Sequence, residues 1–244
     1  MTAAIELLDL VVTRGNKTVL AGVTAEITAG SITGLLGPSG SGKTTLMRAV
    51  IGVQKIRSGR ILVLGQSAGS PPLRHRVGYV SQAPSVYGDL SIRSNVEFFA
   101  AIYGCGKSAV DDVLNTVGLQ DYAARRTSLL SEGQRSRVSL ACALVAQPEV
   151  LILDEPTVGL DPLLRLELWN EFERLAADGM ALLVSSHVMD EAKRCQSLLL
   201  LRDGALLANL SPEELADRTG TVDMDEAFLR LVSGSGRSDQ REAR

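Results

Sequence analysis

The sequence predicts an α/β fold with an N-terminal antiparallel β subdomain and an inserted helical subdomain. Three stretches carry that prediction. An apolar run at 32–36 meets a glycine-rich turn, Gly37-Pro38-Ser39-Gly40-Ser41-Gly42-Lys43-Thr44-Thr45, which leads into helix-like residues 46–51. A second apolar run at 150–153 ends in two acids, Asp154 and Glu155. Between them, residues 84–146 lose the strand pattern and read as helices set into a sheet framework.

Residues 5–36 read as strands, because Ile5, Leu7, Val19, Val23 and Ile27 sit among polar residues, and Ala29-Gly30 marks a turn. Further strands are expected at 59–64 and 77–80. Ser91 can cap a helix containing Val96, Phe99 and Ile102; two more helices follow at about 107–117 and 133–146. The run at 150–153 returns as a buried strand, followed by a helix at 162–177 and strands at 180–185 and 197–202. Asp203-Gly204 is a hairpin signal joining the last of these to 205–208. Ser211-Pro212-Glu213-Glu214 has the capping-box pattern with proline at the first helical position. One domain is expected over 1–232, with its core at 1–83 and 147–210, the helical insertion at 84–146 and C-terminal helices at 211–232. Residues 233–244, Gly/Ser-rich and then charged, are expected to be a disordered tail.

Composition narrows the class. Apolar residues make up 45% of the chain and aromatics only 4%, so the core must be built from Leu, Val, Ile and Ala. A net charge of −3 gives no electrostatic case for nucleic-acid binding. Cys105, Cys142 and Cys195 are odd in number and far apart, which argues against zinc or disulfide frameworks and for reduced thiols. No apolar run reaches the length of about 18 residues that a membrane span needs. The N-terminus lacks the basic start and apolar stretch of a signal peptide.

The glycine-rich turn fits G-x-x-x-x-G-K-[ST] without a mismatch, in the strand–loop–helix context the pattern requires. Its glycines permit conformations closed to other residues, so successive N–H groups can face inward as an anion nest beside a positive helix end. Lys43 can then reach β- and γ-phosphates and the Thr44 hydroxyl can ligate Mg²⁺. The pattern in this context predicts the core of a P-loop NTPase. Asp154 is expected at the carboxyl edge of its strand, where ligands gather in open α/β sheets, holding Mg²⁺ through water. Glu155 is placed to orient or deprotonate an attacking water. Alone, the two acids would read equally well as a solvated loop start.

Together the phosphate loop, Leu130-Ser131-Glu132-Gly133-Gln134, Asp154-Glu155 and His187 resemble the nucleotide-binding subunit of ATP-binding cassette transporters, over about residues 5–215. The resemblance implies ATP and Mg²⁺ as cofactors. It gives Gln82 the place of a glutamine that senses Mg²⁺ and contacts the membrane subunit. Ser131, Gly133 and Gln134 take the place of the signature segment, which meets the γ-phosphate held by the opposite subunit. Asp161 takes that of an aspartate at the dimer seam, His187 that of a γ-phosphate contact and Glu155 that of the catalytic carboxylate. By themselves, Gln82 reads as a surface residue, His187 as a capping or core-edge histidine and Ser131 as an N-cap. His75 has no motif support and reads as a solvated surface residue.

Two positions depart from the family pattern. Glu132 stands where the signature usually has its first glycine. Arg14 stands 23 positions before Gly37, where the family places an aromatic residue under the adenine, and no Phe, Tyr or Trp occurs before Tyr79. Arg14 can stack its guanidinium on a base, or it can point to solvent. The resemblance implies a transport ATPase at the cytoplasmic face of the membrane. It would pair with a second, identical or similar subunit and drive an integral membrane permease. The segment 79–95 resembles the exporter branch, and residues 219–229 look like the end of drug- and polymer-export ATPases. The competing reading is a soluble member of the same superfamily, for instance in cluster assembly.

Overall fold

The computed structural model describes residues 2–238 and contains two sheets. Strands β1 (Ala3–Arg14), β2 (Lys17–Thr28), β4 (Ser58–Val63) and β5 (Gln66–Ser67) form an antiparallel sheet in the order β2-β1-β4-β5. In β2, Val23, Ala25 and Ile27 face inward in alternation with outward-facing neighbours, and Leu20 is buried across an irregularity in the register. The second sheet has the order β10-β9-β3-β8-β7-β6, with β3 (Ile32–Leu36), β6 (Val77–Val80), β7 (Val150–Asp154), β8 (Ala181–Ser186), β9 (Ser197–Arg202) and β10 (Ala205–Leu210). Its strands pair in parallel except β9 with β10. Every residue of β3, β7 and β8 is buried, which is why these strands read as continuous apolar runs rather than alternating ones.

Two cores result. One lies between the two sheets around helix α1 (Lys43–Val50). The other lies between the parallel sheet and the helices α2 (Ile92–Tyr103), α3 (Lys107–Thr116), α4 (Glu132–Leu144), α5 (Pro162–Ala177), α6 (Pro212–Thr219) and α7 (Met224–Ser238). In the latter, Trp169 and Phe172 meet edge to face at 5.6 Å, and both are at least 98% buried. The capping predicted from sequence is present: Ser91 Oγ accepts from the Ser94 N–H, and Ser211 and Glu214 form a reciprocal capping box. His75 is exposed and meets the Tyr103 ring in a T-shaped contact at 5.5 Å. Cys142 and Cys195 are buried, and burial pushes both thiols up to about 12.

The C-terminus differs from the expectation. Helix α7 continues through residues 233–238, past the boundary at 232 set by composition. Extending an existing helix needs no new nucleation, so two glycines, each costing about 1 kcal/mol against alanine, do not stop it. The rest of the expected tail, 239–244, lies outside the described residues.

One buried polar side chain organises the start of the helical insertion. Asn95 is fully buried; its Oδ1 accepts from the Tyr87 N–H, and its Nδ2 donates to the carbonyls of Tyr87 and Ser91 and to Thr127 Oγ1. It joins the loop before α2, the α2 cap and the segment leading to α4. Asn95→Ala strands several of these groups, and each unsatisfied group costs about 1–3 kcal/mol. Urea unfolding followed by circular dichroism is expected to show a loss of about 3 kcal/mol, and a loss below about 1 kcal/mol would contradict this role.

Candidate functional site

The carboxyl edge of the parallel sheet gathers the predicted polar residues. Buried strands cannot hold charges along their length, so the groups appear where β3, β8, β7 and β6 end. From Leu36 the chain enters the glycine-rich loop and re-enters helix at Lys43, with Gly42 at φ 111° as N-cap. Gly42 supplies no side-chain cap, and no acid lies in the first turn of α1. The first N–H groups of α1 therefore open onto the cleft with their partial positive charge intact. A cleft of about 490 Å³ lies over them, lined by Ser39, Gly40, Gly42, Lys43, Thr44 and Thr45 on one side. Gln82, Glu155 and Arg14 close other parts of it. Gly37, Pro38 and Ser41 do not line this cleft; the first two offer carbonyls to Lys43.

Lys43 is 6% exposed and donates to Gly37 O at 2.7 Å and Pro38 O at 3.3 Å. Burial pulls its ammonium below the usual lysine range, and the carboxylates of Glu155 and Asp154 oppose that shift. Glu155 is the centre of the cluster. Its Oε1 lies 3.9 Å from Lys43 Nζ; its Oε2 accepts from Gln82 Nε2 at 3.0 Å and lies 3.5 Å from His187 Nδ1. Three side chains from three other segments thus meet at one carboxylate, although Gln82 and Glu155 are 73 positions apart. Asp154, 2% exposed, lies at the end of β7 and is reached by Ser185 Oγ at 2.8 Å. Neighbouring Tyr79 has its phenol raised, first by burial and then by the Asp154 charge.

Arg14 is exposed at the cleft rim, where its guanidinium lies 3.4 Å from Gln54 Oε1. The signature residues are placed elsewhere. Ser131 and Gln134 form a reciprocal capping box at the start of α4, with Ser131 Oγ accepting from the Gln134 N–H. Asp161 caps α5, accepting from the N–H groups of Leu163 and Leu164 at 3.0 Å. Gly133 is buried against α5: a methyl group there would lie 2.9 Å from Leu160 Cδ2 and 3.1 Å from Leu164 Cδ1. None of Ser131, Gly133, Gln134 and Asp161 lines the cleft around Lys43.

Sequence reasoning missed two contributors. The β9–β10 turn was read only as a hairpin, yet Asp203 and Gly204 line the cleft and the Gly204 N–H donates to Ser41 O at 3.1 Å. The signal was the Asp-Gly pair itself, which gives a turn but not its neighbour. Ser185 carried no local signal.

The donor set suits its expected ligands. Uncapped N–H groups and a buried lysine suit phosphates. The Thr44 hydroxyl, Asp154 carboxylate and Gln82 amide are hard oxygen donors of the kind Mg²⁺ takes together with water and phosphate.

Comparison with known proteins agrees with this geometry. The family model described as ABC transporter matches residues 20–158. The Nod factor export ATP-binding protein I of Paraburkholderia xenovorans is 36% identical over 233 residues, covering 93% of this chain and 77% of that protein. The probable multidrug ABC transporter ATP-binding protein YbhF of Escherichia coli is 36% identical over 214 residues, 83% of this chain but 37% of that protein. The chain thus spans only about a third of the length of that relative. Among solved structures, an ATP-binding subunit of an ABC transporter superposes with a TM-score of 0.85 at 27% identity, covering 95% of this chain and all of that one. The cbiO1 structure from Clostridium perfringens, part of the transporter complex cbiONQ, gives 0.82 at 27% identity, covering 98% and 100%. The chain belongs to the ABC transporter family and has the α/β fold of that family's ATP-binding subunits.

Proposed function

We propose that the chain binds and hydrolyses ATP with Mg²⁺ and that this cycle powers export through a separate membrane permease at the cytoplasmic face of the membrane. The observation that carries the reading is the convergence of Lys43, Gln82 and His187 on Glu155 beside the uncapped start of α1. Lys43 and the α1 N–H groups hold phosphate. Thr44, Gln82 and Asp154 would hold Mg²⁺, which when bound offsets charge that develops on phosphate oxygens. Glu155 takes a proton from the attacking water, with Gln82 and His187 fixing its second oxygen. The export-type names of the relatives favour transport over a non-transport role.

Lys43→Ala is expected to weaken ATP binding. Glu155→Gln is expected to bind ATP and lose turnover by about 100-fold or more, as removal of a general base does. Near-normal phosphate release by Glu155→Gln would remove Glu155 from this role.

Ser131, Gly133 and Asp161 cluster at the starts of α4 and α5, away from the Lys43 cleft. The cap at Ser131 uses an oxygen lone pair, so its proton and the first N–H groups of α4 can serve an anion. This favours a dimer in which each chain's α4 start completes the other chain's cleft. Glu155→Gln with ATP and Mg²⁺ is expected to double in light-scattering mass; a monomer at saturating ATP contradicts self-pairing.

Arg14 stands at the cleft rim where it can stack on the adenine. Stacked bases contribute about 1–3 kcal/mol, so Arg14→Ala is expected to raise the ATP dissociation constant about 5- to 150-fold and Arg14→Tyr to restore it. ATP and GTP should be poorly discriminated, because stacking reads no base edge. Equal titration calorimetry constants for the parent chain and Arg14→Ala would leave Arg14 as a solvated residue.

A further inference from the structure

We propose that Ser185 is a positioning residue that sets Asp154 and Glu155 with a single hydroxyl. This rests on the roles given above to those two acids. Strand β8 runs between β3, which leads into the phosphate loop, and β7, which ends in Asp154. In register, Ser185 lies opposite Leu35 on one side and Asp154 on the other, so it sits between the two halves of the site. It is 0% exposed.

Its Oγ–H donates to Asp154 Oδ1 at 2.8 Å, and its Oγ accepts from the Glu155 N–H at 2.9 Å. The directions are forced, because a carboxylate only accepts and an amide N–H only donates; a hydroxyl is the group that can answer both. The second bond has a particular consequence. Glu155 has φ of +50°, the left-handed region a non-glycine residue occupies only where surrounding contacts fix it. The Ser185 bond holds the N–H of that turn, and the turn carries the Glu155 carboxylate toward Gln82, Lys43 and His187. The same hydroxyl limits rotation of the Asp154 carboxylate. Serine type alone does not suffice: the next residue, Ser186, points to the other face, donating to Glu191 Oε2 at 2.6 Å and accepting from the Val188 N–H.

The test compares Ser185→Ala and Ser185→Thr with the parent chain, alone and in the Glu155→Gln background. For Ser185→Ala, ATP binding in EDTA should stay within about twofold, because Lys43 and the loop are untouched. The Mg²⁺ concentration that half-maximally tightens ATP binding should rise, and kcat should fall, each about 10- to 100-fold, the range for a lost hydrogen bond to a charged group. Ser185→Thr should recover most of both effects. In the Glu155→Gln background, Ser185→Ala should change turnover less than in the parent chain, since part of its effect runs through Glu155. Unchanged Mg²⁺ dependence and kcat in Ser185→Ala would overturn the proposal, as would equal weakening of ATP binding with and without Mg²⁺, which marks a packing role. Normal turnover in Glu155→Gln instead overturns the underlying site assignment. An inactive Glu155→Gln beside an unaffected Ser185→Ala overturns the positioning role alone.

Discussion

The rest of the structure depends on the burial of β3, β8 and β7 on both faces. These strands contain no exposed residue, so the sheet can carry polar function only where the strands end. At that edge the chain must leave the sheet, and each exit is polar: a glycine turn after β3, Asp154-Glu155 after β7, Ser185-Ser186-His187 at β8 and Gln82 after β6. Parallel pairing puts these exits side by side. The site is thus a consequence of sheet order, and the helices and the antiparallel sheet supply the two cores that hold that order in place.

Local signals in the sequence were enough for most elements. Strands 77–80 and 197–202 and the helix at 162–177 match in full, because their periodicity and their Pro, Gly and Ser punctuation act within a few residues. Caps at Ser91, Ser131 and Ser211 were readable for the same reason. The phosphate loop was readable because its geometry is local too. Ser185 was not, since its function depends on strand register with Asp154, thirty-one positions earlier. The role of Asp203-Gly204 likewise appears only when β9 and β10 pack on the loop. Composition misjudged 233–238, where helix continuation outweighs the flexibility of glycine and serine.

Charge balance explains how an acid and a lysine share so small a site. Desolvation works against the Lys43 ammonium, and the adjacent carboxylates counter it. Two backbone carbonyls satisfy donors of Lys43 that Glu155, at 3.9 Å, does not. In the proposed phosphate role, these two carbonyl contacts are the ones that Lys43 would exchange for charged oxygens.

The departure at Glu132 follows from how α4 meets the loop before α5. Its carboxylate lies along Gly159: a methyl group there would stand 3.1 Å from Glu132 Oε2. Gly159, at φ +75°, is suited to that approach by conformation as well as by size. As the acid in the first turn of α4, Glu132 favours the helix dipole by about 0.3–1 kcal/mol, and it competes weakly with any anion at the same helix end. A glycine-to-acid change in the signature is thus compatible with anion binding at Ser131 and Gly133. Glu132 also brings the start of α4 against the loop that leads into α5.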